Sequence, residues 1–163
     1  TDIYEYPLSV AWDVTSNGAS TYNVTPSVTN PKGPYISPDG INLYISSNSS
    51  SDKNIYWYQL GSAWDLSSIG SLLGTIDVGG VVVGSNNNPT QVTFTPEGRT
   101  MFFGGDNESV WYQYNLTTAW DITTASYSGY SYSYATGDGI TFRPNGQYMY
   151  TSAGSSSLKQ HTV

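Results

Sequence analysis

Three stretches of the chain read as one: GPYISPDGINLYISS at residues 33–47, QVTFTPEGRTMFFGG at 91–105 and GITFRPNGQYMYTSA at 139–153. Each centres on a proline, then Asp, Glu or Asn, then a glycine, at Gly40, Gly98 and Gly146. Proline presets a negative φ and glycine accepts a positive one, which is turn chemistry. Short apolar runs stand on both sides. Two such runs about a tight turn predict a β-hairpin.

The next segment alternates in character: IYEYPL from Ile3, IYWYQL from Ile55, WYQYNL from Trp111 and LKQHTV from Leu158. The four align without gaps. Tyr4 and Tyr6 match Tyr56 and Tyr58, then Tyr112 and Tyr114, then Lys159 and His161. A period of two predicts a strand. In the first three copies an Ala-Trp-Asp follows, at Trp12-Asp13, Trp64-Asp65 and Trp120-Asp121. A fourth segment comes after it: STYNVTPSV, SLLGTIDV or SYSGYSYSY.

Four short strands per unit and no helical period describe one blade of a β-propeller. The tryptophans recur after 52 and 56 residues, and the turn prolines after 58 and 48. With strands lettered a to d, the chain reads c-d, a-b-c-d, a-b-c-d, a-b-c. The fold class expected is therefore all-β: two complete four-stranded antiparallel blades and two partial ones. Their spans are about 1–30 (partial), 31–88, 89–137 and 138–163 (partial).

A Pro-Asp-Gly turn, an aromatic strand such as Tyr56-Trp57-Tyr58, then Trp64-Asp65 resembles the PDG-type β-propeller repeats of secreted bacterial and phage proteins. The pattern is similar to the broad YVTN and TolB-like propeller group. The resemblance spans nearly the whole chain and implies fold more than function, since propellers bind, scaffold and catalyse.

Closed propellers need at least four blades, so partial terminal blades imply completion by oligomerisation. Unpaired edges attract strands from other chains. Three arrangements are open: a piece of a longer propeller, a ring of two copies, or a head-to-tail array built by strand addition.

Composition narrows the partners. The net charge is −7, with 12 acidic residues against 5 basic. No Lys/Arg cluster exists, which argues against nucleic acid and anionic membrane. The apolar run at Val81–Val83 is too short to enter a bilayer as a span. No basic and then apolar leader opens the chain, as in a mature secreted form. There is no cysteine, hence no disulfide or thiol chemistry. Tyr (15) and Trp (5) exceed Phe (4) amid abundant Ser, Thr, Asn and Gly. That surface suits an extracellular, cell-surface or virion-surface protein.

Catalytic groups are scarce. The one histidine, His161, takes a tyrosine position in a strand c, where no Ser-His-Asp arrangement can be argued. Propeller enzymes place metal ligands around the central channel. Among the inner-strand starts only Asp138 carries a carboxylate, so lactonase-like or metal-assisted hydrolysis is not expected. No cofactor or metal is expected, apart from a weak calcium candidate at Asp106 and Glu108. Gly79-Gly80 and Gly104-Gly105 lack the context of a phosphate loop.

Aromatics are the functional lead, because flat rings beside uncharged polar groups suit sugars. Trp57 and Trp111 do not recur, and Tyr130, Tyr132 and Tyr134 line one face of a strand d. These five are the ligand-binding candidates. The tyrosines that recur in register are expected to pack between blades. Trp12, Trp64 and Trp120 are expected to wedge each c-to-d connection against the adjacent blade. Asp13, Asp65 and Asp121 are expected to accept local backbone N–H bonds. The function expected is a non-catalytic adhesion or glycan-recognition module that self-associates. The alternative is a structural subunit of a filament or appendage assembled by edge-strand addition.

Overall fold

A computed structural model describes residues 2–20, 22–24, 27–81, 88–105, 110–133, 139–153 and 157–162. The chain is all-β. Strands β1 (Ile3–Glu5) and β2 (Tyr22–Val24) pair as a two-stranded sheet. Strands β3 (Pro31–Ile36), β4 (Asn42–Ser47), β5 (Asn54–Leu60) and β6 (Ile69–Asp77) form a four-stranded meander in chain order. Strands β7 (Pro89–Phe94), β8 (Thr100–Gly105), β9 (Val110–Leu116) and β10 (Ala125–Ser133) form a second. Strands β11 (Ile140–Phe142), β12 (Tyr148–Ala153) and β13 (Ser157–Thr162) form a three-stranded sheet. All pairs are antiparallel. The expected phase of strands is therefore the observed one. Among the described residues, no helix is long and apolar enough to cross a membrane.

The hairpin turns do what their residues dictate. Gly40, Gly98 and Gly146 take φ of 77°, 70° and 73°. Each donates its N–H to the carbonyl three residues back, at Ser37, Thr95 and Arg143 (2.8–2.9 Å). Asp39 and Asn145 add a second lock by accepting from the backbone N–H two residues on.

The c-to-d connections are built alike. Asp13, Asp65 and Asp121 each cap one 3-10 turn, over Val14–Ser16, Leu66–Ser68 and Ile122–Thr124. Each carboxylate accepts from the N–H of Thr15, Ser67 or Thr123 (2.9–3.0 Å) and from that residue's hydroxyl (2.6 Å). The hydroxyl bond, then the backbone bond, hold the Asp13 carboxyl below its ordinary value.

The tryptophans depart from expectation. Trp12, Trp64 and Trp120 take left-handed φ of 67°, 62° and 67°, which costs an L residue roughly 1–2 kcal/mol. For two of them the compensation is visible. Trp64 donates its N–H to the Gly40 carbonyl and Trp120 to that of Gly98, both at 2.9 Å. Each indole then lies on its own sheet's hairpin turn, not first against the adjacent blade. A Cβ at Gly40 would stand 2.4 Å from the Trp64 ring, and one at Gly98 would stand 2.2 Å from that of Trp120. Trp64 stays 58% exposed and Trp12 is 97% exposed. Trp120 alone also reaches the neighbouring sheet, where its carbonyl accepts from the Tyr44 hydroxyl (2.6 Å).

The sheets stack face to face, and the apolar core fills the seams between them. Val28, Leu43, Ile45, Tyr58 and Leu60 fill the first seam. Tyr44, Phe94, Met101, Phe103, Tyr112 and Tyr114 lead the second. The third holds a smaller group, Trp111, Ile140 and Met149, with Phe102 and Phe142 beside it. Inner strands meet closely. Gly33, at φ 49°, faces the Thr90 carbonyl, which a Cβ would approach to 2.3 Å.

Candidate functional site

The third seam does not close completely. Between the β7–β10 sheet and the β11–β13 sheet lies a cleft of about 170 Å³. Such a volume is below the roughly 300 Å³ at which drug-sized pockets begin, so it suits one small ring.

Local sequence explains its walls. Trp111 on β9 pairs with Gly104 on β8 and with Tyr132 on β10. Gly104 leaves room for the indole, since a Cβ there would come within 2.9 Å of it. On β10 the register slips between Tyr127 and Ser131. Gly129 at φ 85° makes the bulge, and the Ser128 hydroxyl donates to the Gln113 carbonyl (2.8 Å) to hold it. A bulge re-aims side chains. Here it leaves Tyr130 70% exposed at the cleft mouth. Phe102 and Phe142 meet across the seam with centroids 4.5 Å apart.

The polar element is His161. Its Nδ1 lies 3.0 Å from the Tyr132 hydroxyl and its Nε2 lies 3.1 Å from the Thr151 hydroxyl. Tyr132 comes from β10 and Thr151 from β12, so the imidazole is tied to both sheets. Each hydroxyl can donate or accept. Either neutral tautomer fits, and so does the imidazolium with both hydroxyls accepting. The Tyr132 and His161 rings stand edge to face, 5.0 Å apart. Gln113 and Ser131 add uncharged polar groups to the lining.

Of the five sequence-stated ligand candidates, the structure brings Trp111, Tyr130 and Tyr132 together. Trp57 lies elsewhere: its indole N–H donates to Asn42 Oδ1 (2.9 Å) and its ring stacks with Tyr44 in the second seam. Tyr134 lies outside the described residues, as do Asp106, Glu108 and Asp138. Sequence reasoning missed Phe102, Phe142, Met149 and His161 as lining. The available signal was His161 itself, which breaks the tyrosine register of strand c.

The recurring tyrosines divide. Tyr58, Tyr112 and Tyr114 are buried in seams, whereas Tyr4 and Tyr6 are about half exposed. Burial, then the nearby charges of Tyr127, Asp77 and Tyr112, push the Tyr114 hydroxyl up to about 12. Burial first, then neighbouring charges, raise Tyr44 as well. Asp52 is a local anchor. Burial pulls its carboxyl up, but donors on Asn54 (2.6 Å), Ser47 (2.9 Å) and Tyr56 (3.0 Å) outweigh that and leave it below its ordinary value. Among the described residues, no three His, Cys, Asp or Glu side chains converge as a metal site.

No protein-family model and no curated relative matches the sequence. Solved structures do match. The chain is similar to a candidate 6-phosphogluconolactonase from Bacteroides fragilis, with 10% identity and a TM-score of 0.66, over 99% of this chain and 44% of that one. A second candidate 6-phosphogluconolactonase, from Bacteroides uniformis, has 14% identity and a TM-score of 0.62, over 98% and 50%. The Swd1 β-propeller domain of Myceliophteria thermophila has 10% identity and a TM-score of 0.54, over 81% and 39%. The chain spans half or less of the length of each. These likenesses define the class: a protein of β-propeller fold, here with two four-stranded blades and two partial ones.

Two of the three neighbours carry enzyme names. That overturns the expectation that the chain is not an enzyme. The expectation rested on the missing carboxylates at the inner strand starts. The cleft lies instead at a seam between sheets, where the chain's only histidine is held between two hydroxyls.

Proposed function

We propose that the chain is an extracellular, cell-surface or virion-surface propeller module whose third seam holds a sugar ring, as in adhesion or glycan recognition. The observation that carries this is the cleft: aromatic walls, one exposed tyrosine at its mouth, and uncharged polar groups around an imidazole. The apolar face of a pyranose suits the flat face of Tyr130, and its hydroxyls suit Gln113, Ser131 and His161. The names of two fold neighbours also point to a sugar-derived ligand.

A glycan array, followed by titration of any hit, tests the reading. Tyr130→Ala should weaken binding about tenfold, by analogy with a nucleic-acid base stacked on an aromatic side chain, which loses about 1–3 kcal/mol on alanine substitution, with the thermal midpoint unchanged. The same sample, offered sugar lactones, reports whether a bound ring is also turned over. Absence of both binding and turnover by folded protein would sink the proposal.

A second reading is a filament or appendage subunit assembled by edge-strand addition. Among the described residues, no strand covers the outer edge of β13 or the free edge of β1. Self-association through such edges is part of what we propose.

A further inference from the structure

The third-seam cleft is not evenly lined. Its most buried residues, Trp111, Ile140 and Met149, are 3%, 6% and 8% exposed and are all apolar. They stand on β9, β11 and β12, and both β9 and β12 are paired on either side within their sheets. This floor therefore belongs to the packed interior. The hydrogen-bonding side chains of the lining are all more open. Gln113 and His161 are half-buried, while Ser131 and Tyr132 are exposed. The result is an apolar floor beneath a polar rim. Among the described residues, none of those lining the cleft is Asp, Glu, Lys or Arg, and the chain carries a net charge of −7.

Resting on the reading that this cleft holds a sugar, we infer that the sugar is a neutral N-acetylated one, bound with its acetamido group inward. A sugar hydroxyl pressed on the floor would lose its water and gain no partner there, which is costly. An acetamido group avoids that loss. Its methyl is buried on Ile140 and Met149. Its N–H and C=O follow the methyl outward and reach the rim, where the Gln113 amide can both donate and accept and the Ser131 hydroxyl can do either. The ring then remains at the mouth, beside Tyr130.

Charge decides between the remaining sugars. An amino sugar would bring an ammonium with no carboxylate in the lining to meet it. A uronic acid would bring a carboxylate with no Lys or Arg in the lining, towards a chain of its own sign. The neutral acetamide needs neither. Size agrees, since about 170 Å³ takes one ring and its substituent rather than a longer oligosaccharide.

Titration of the purified chain with sugars that differ only at C2 tests this: D-glucose, D-glucosamine and N-acetyl-D-glucosamine, then their galacto counterparts, with D-glucuronate as the anionic arm. In one series the N-acetyl sugar should bind at least about tenfold tighter than the others, the low end of what one methyl-sized group gains in an apolar pocket. By ligand-observed NMR, saturation passed from protein to sugar should be greatest at the acetyl methyl. Ile140→Thr, which sets a hydroxyl in the floor, should remove most of that preference. Tyr130→Ala should weaken all the sugars alike and keep it. A hexose that binds as tightly as its N-acetyl form, or an amino sugar or glucuronate that binds tighter, would overturn this inference and leave the sugar reading standing. So would a preference that folded Ile140→Thr retains in full. No binding by any of these sugars would also overturn it, and a blank glycan array in addition would sink the sugar reading itself. Should Ile140→Thr fail to fold, the wild-type comparison decides alone.

Discussion

The second and third seams are built from the same repeat and end differently. In the second, Phe103 on β8 faces Tyr114 on β9, with ring centroids 5.6 Å apart, and both are buried. In the third, the aligned positions hold Thr151 and His161, joined by a 3.1 Å hydrogen bond. A bulky ring and a phenol have become a hydroxyl and an imidazole. Less volume leaves the cleft, and the hydrogen bonds to Thr151 and Tyr132 keep its polar lining in place. A cleft can therefore arise in a repeat fold by under-filling one seam, with no new element added.

The comparison can be broken in several ways. The largest effect is expected in the filled seam. Phe103→Ala should cost about 3–5 kcal/mol, as for other fully buried aromatics, measured by urea unfolding. Thr151→Val, the matching change in the open seam, should cost far less and should loosen the His161 ring.

Next comes alkali. The phenols of Tyr114 and Tyr44 both ionise less readily in the folded chain than in the unfolded one, whose tyrosines titrate near 10. Above about pH 10 the unfolded state therefore holds fewer protons, and stability falls as pH rises from there towards 12. Tyr114→Phe should flatten that fall in a pH series of melts. An unchanged slope would place the titrating groups elsewhere.

Refilling the open seam is a smaller change in stability and a larger one in function. His161→Tyr restores the strand-c register. With space already present, it should shift stability by less than about 1.5 kcal/mol. Binding in the cleft should fall sharply. If binding survives, the cleft is not the site.

The smallest effect is expected at Trp64. Its ring is only partly buried, so Trp64→Ala should cost about 1 kcal/mol, less than the roughly 1.5–3 kcal/mol of a fully buried large side chain. Trp120→Ala should cost more, because its indole also packs against Phe94 of its own sheet, with ring centroids 5.4 Å apart.

Much of this was legible in the sequence because it is local. Turn residues at Gly40, Gly98 and Gly146, period two in the strands, and Asp-capped turns at Asp13, Asp65 and Asp121 each act within a few residues. Together they determined the strand order, the four-strand unit and the out-of-phase ends. What tertiary structure decided depends on side chains from two sheets meeting. Trp57 and Trp111 look alike in sequence, yet one stacks on Tyr44 in a filled seam and the other lines a cleft. His161 looked like an edge-strand substitution until Tyr132 and Thr151 came to its two nitrogens. Trp64 and Gly40 were two separate markers until the indole lay on the glycine. Local chemistry sets the backbone path from nearest neighbours alone. Burial, cavities and ring contacts are sums over residues far apart in the chain, and only the packed sheets carry out that sum.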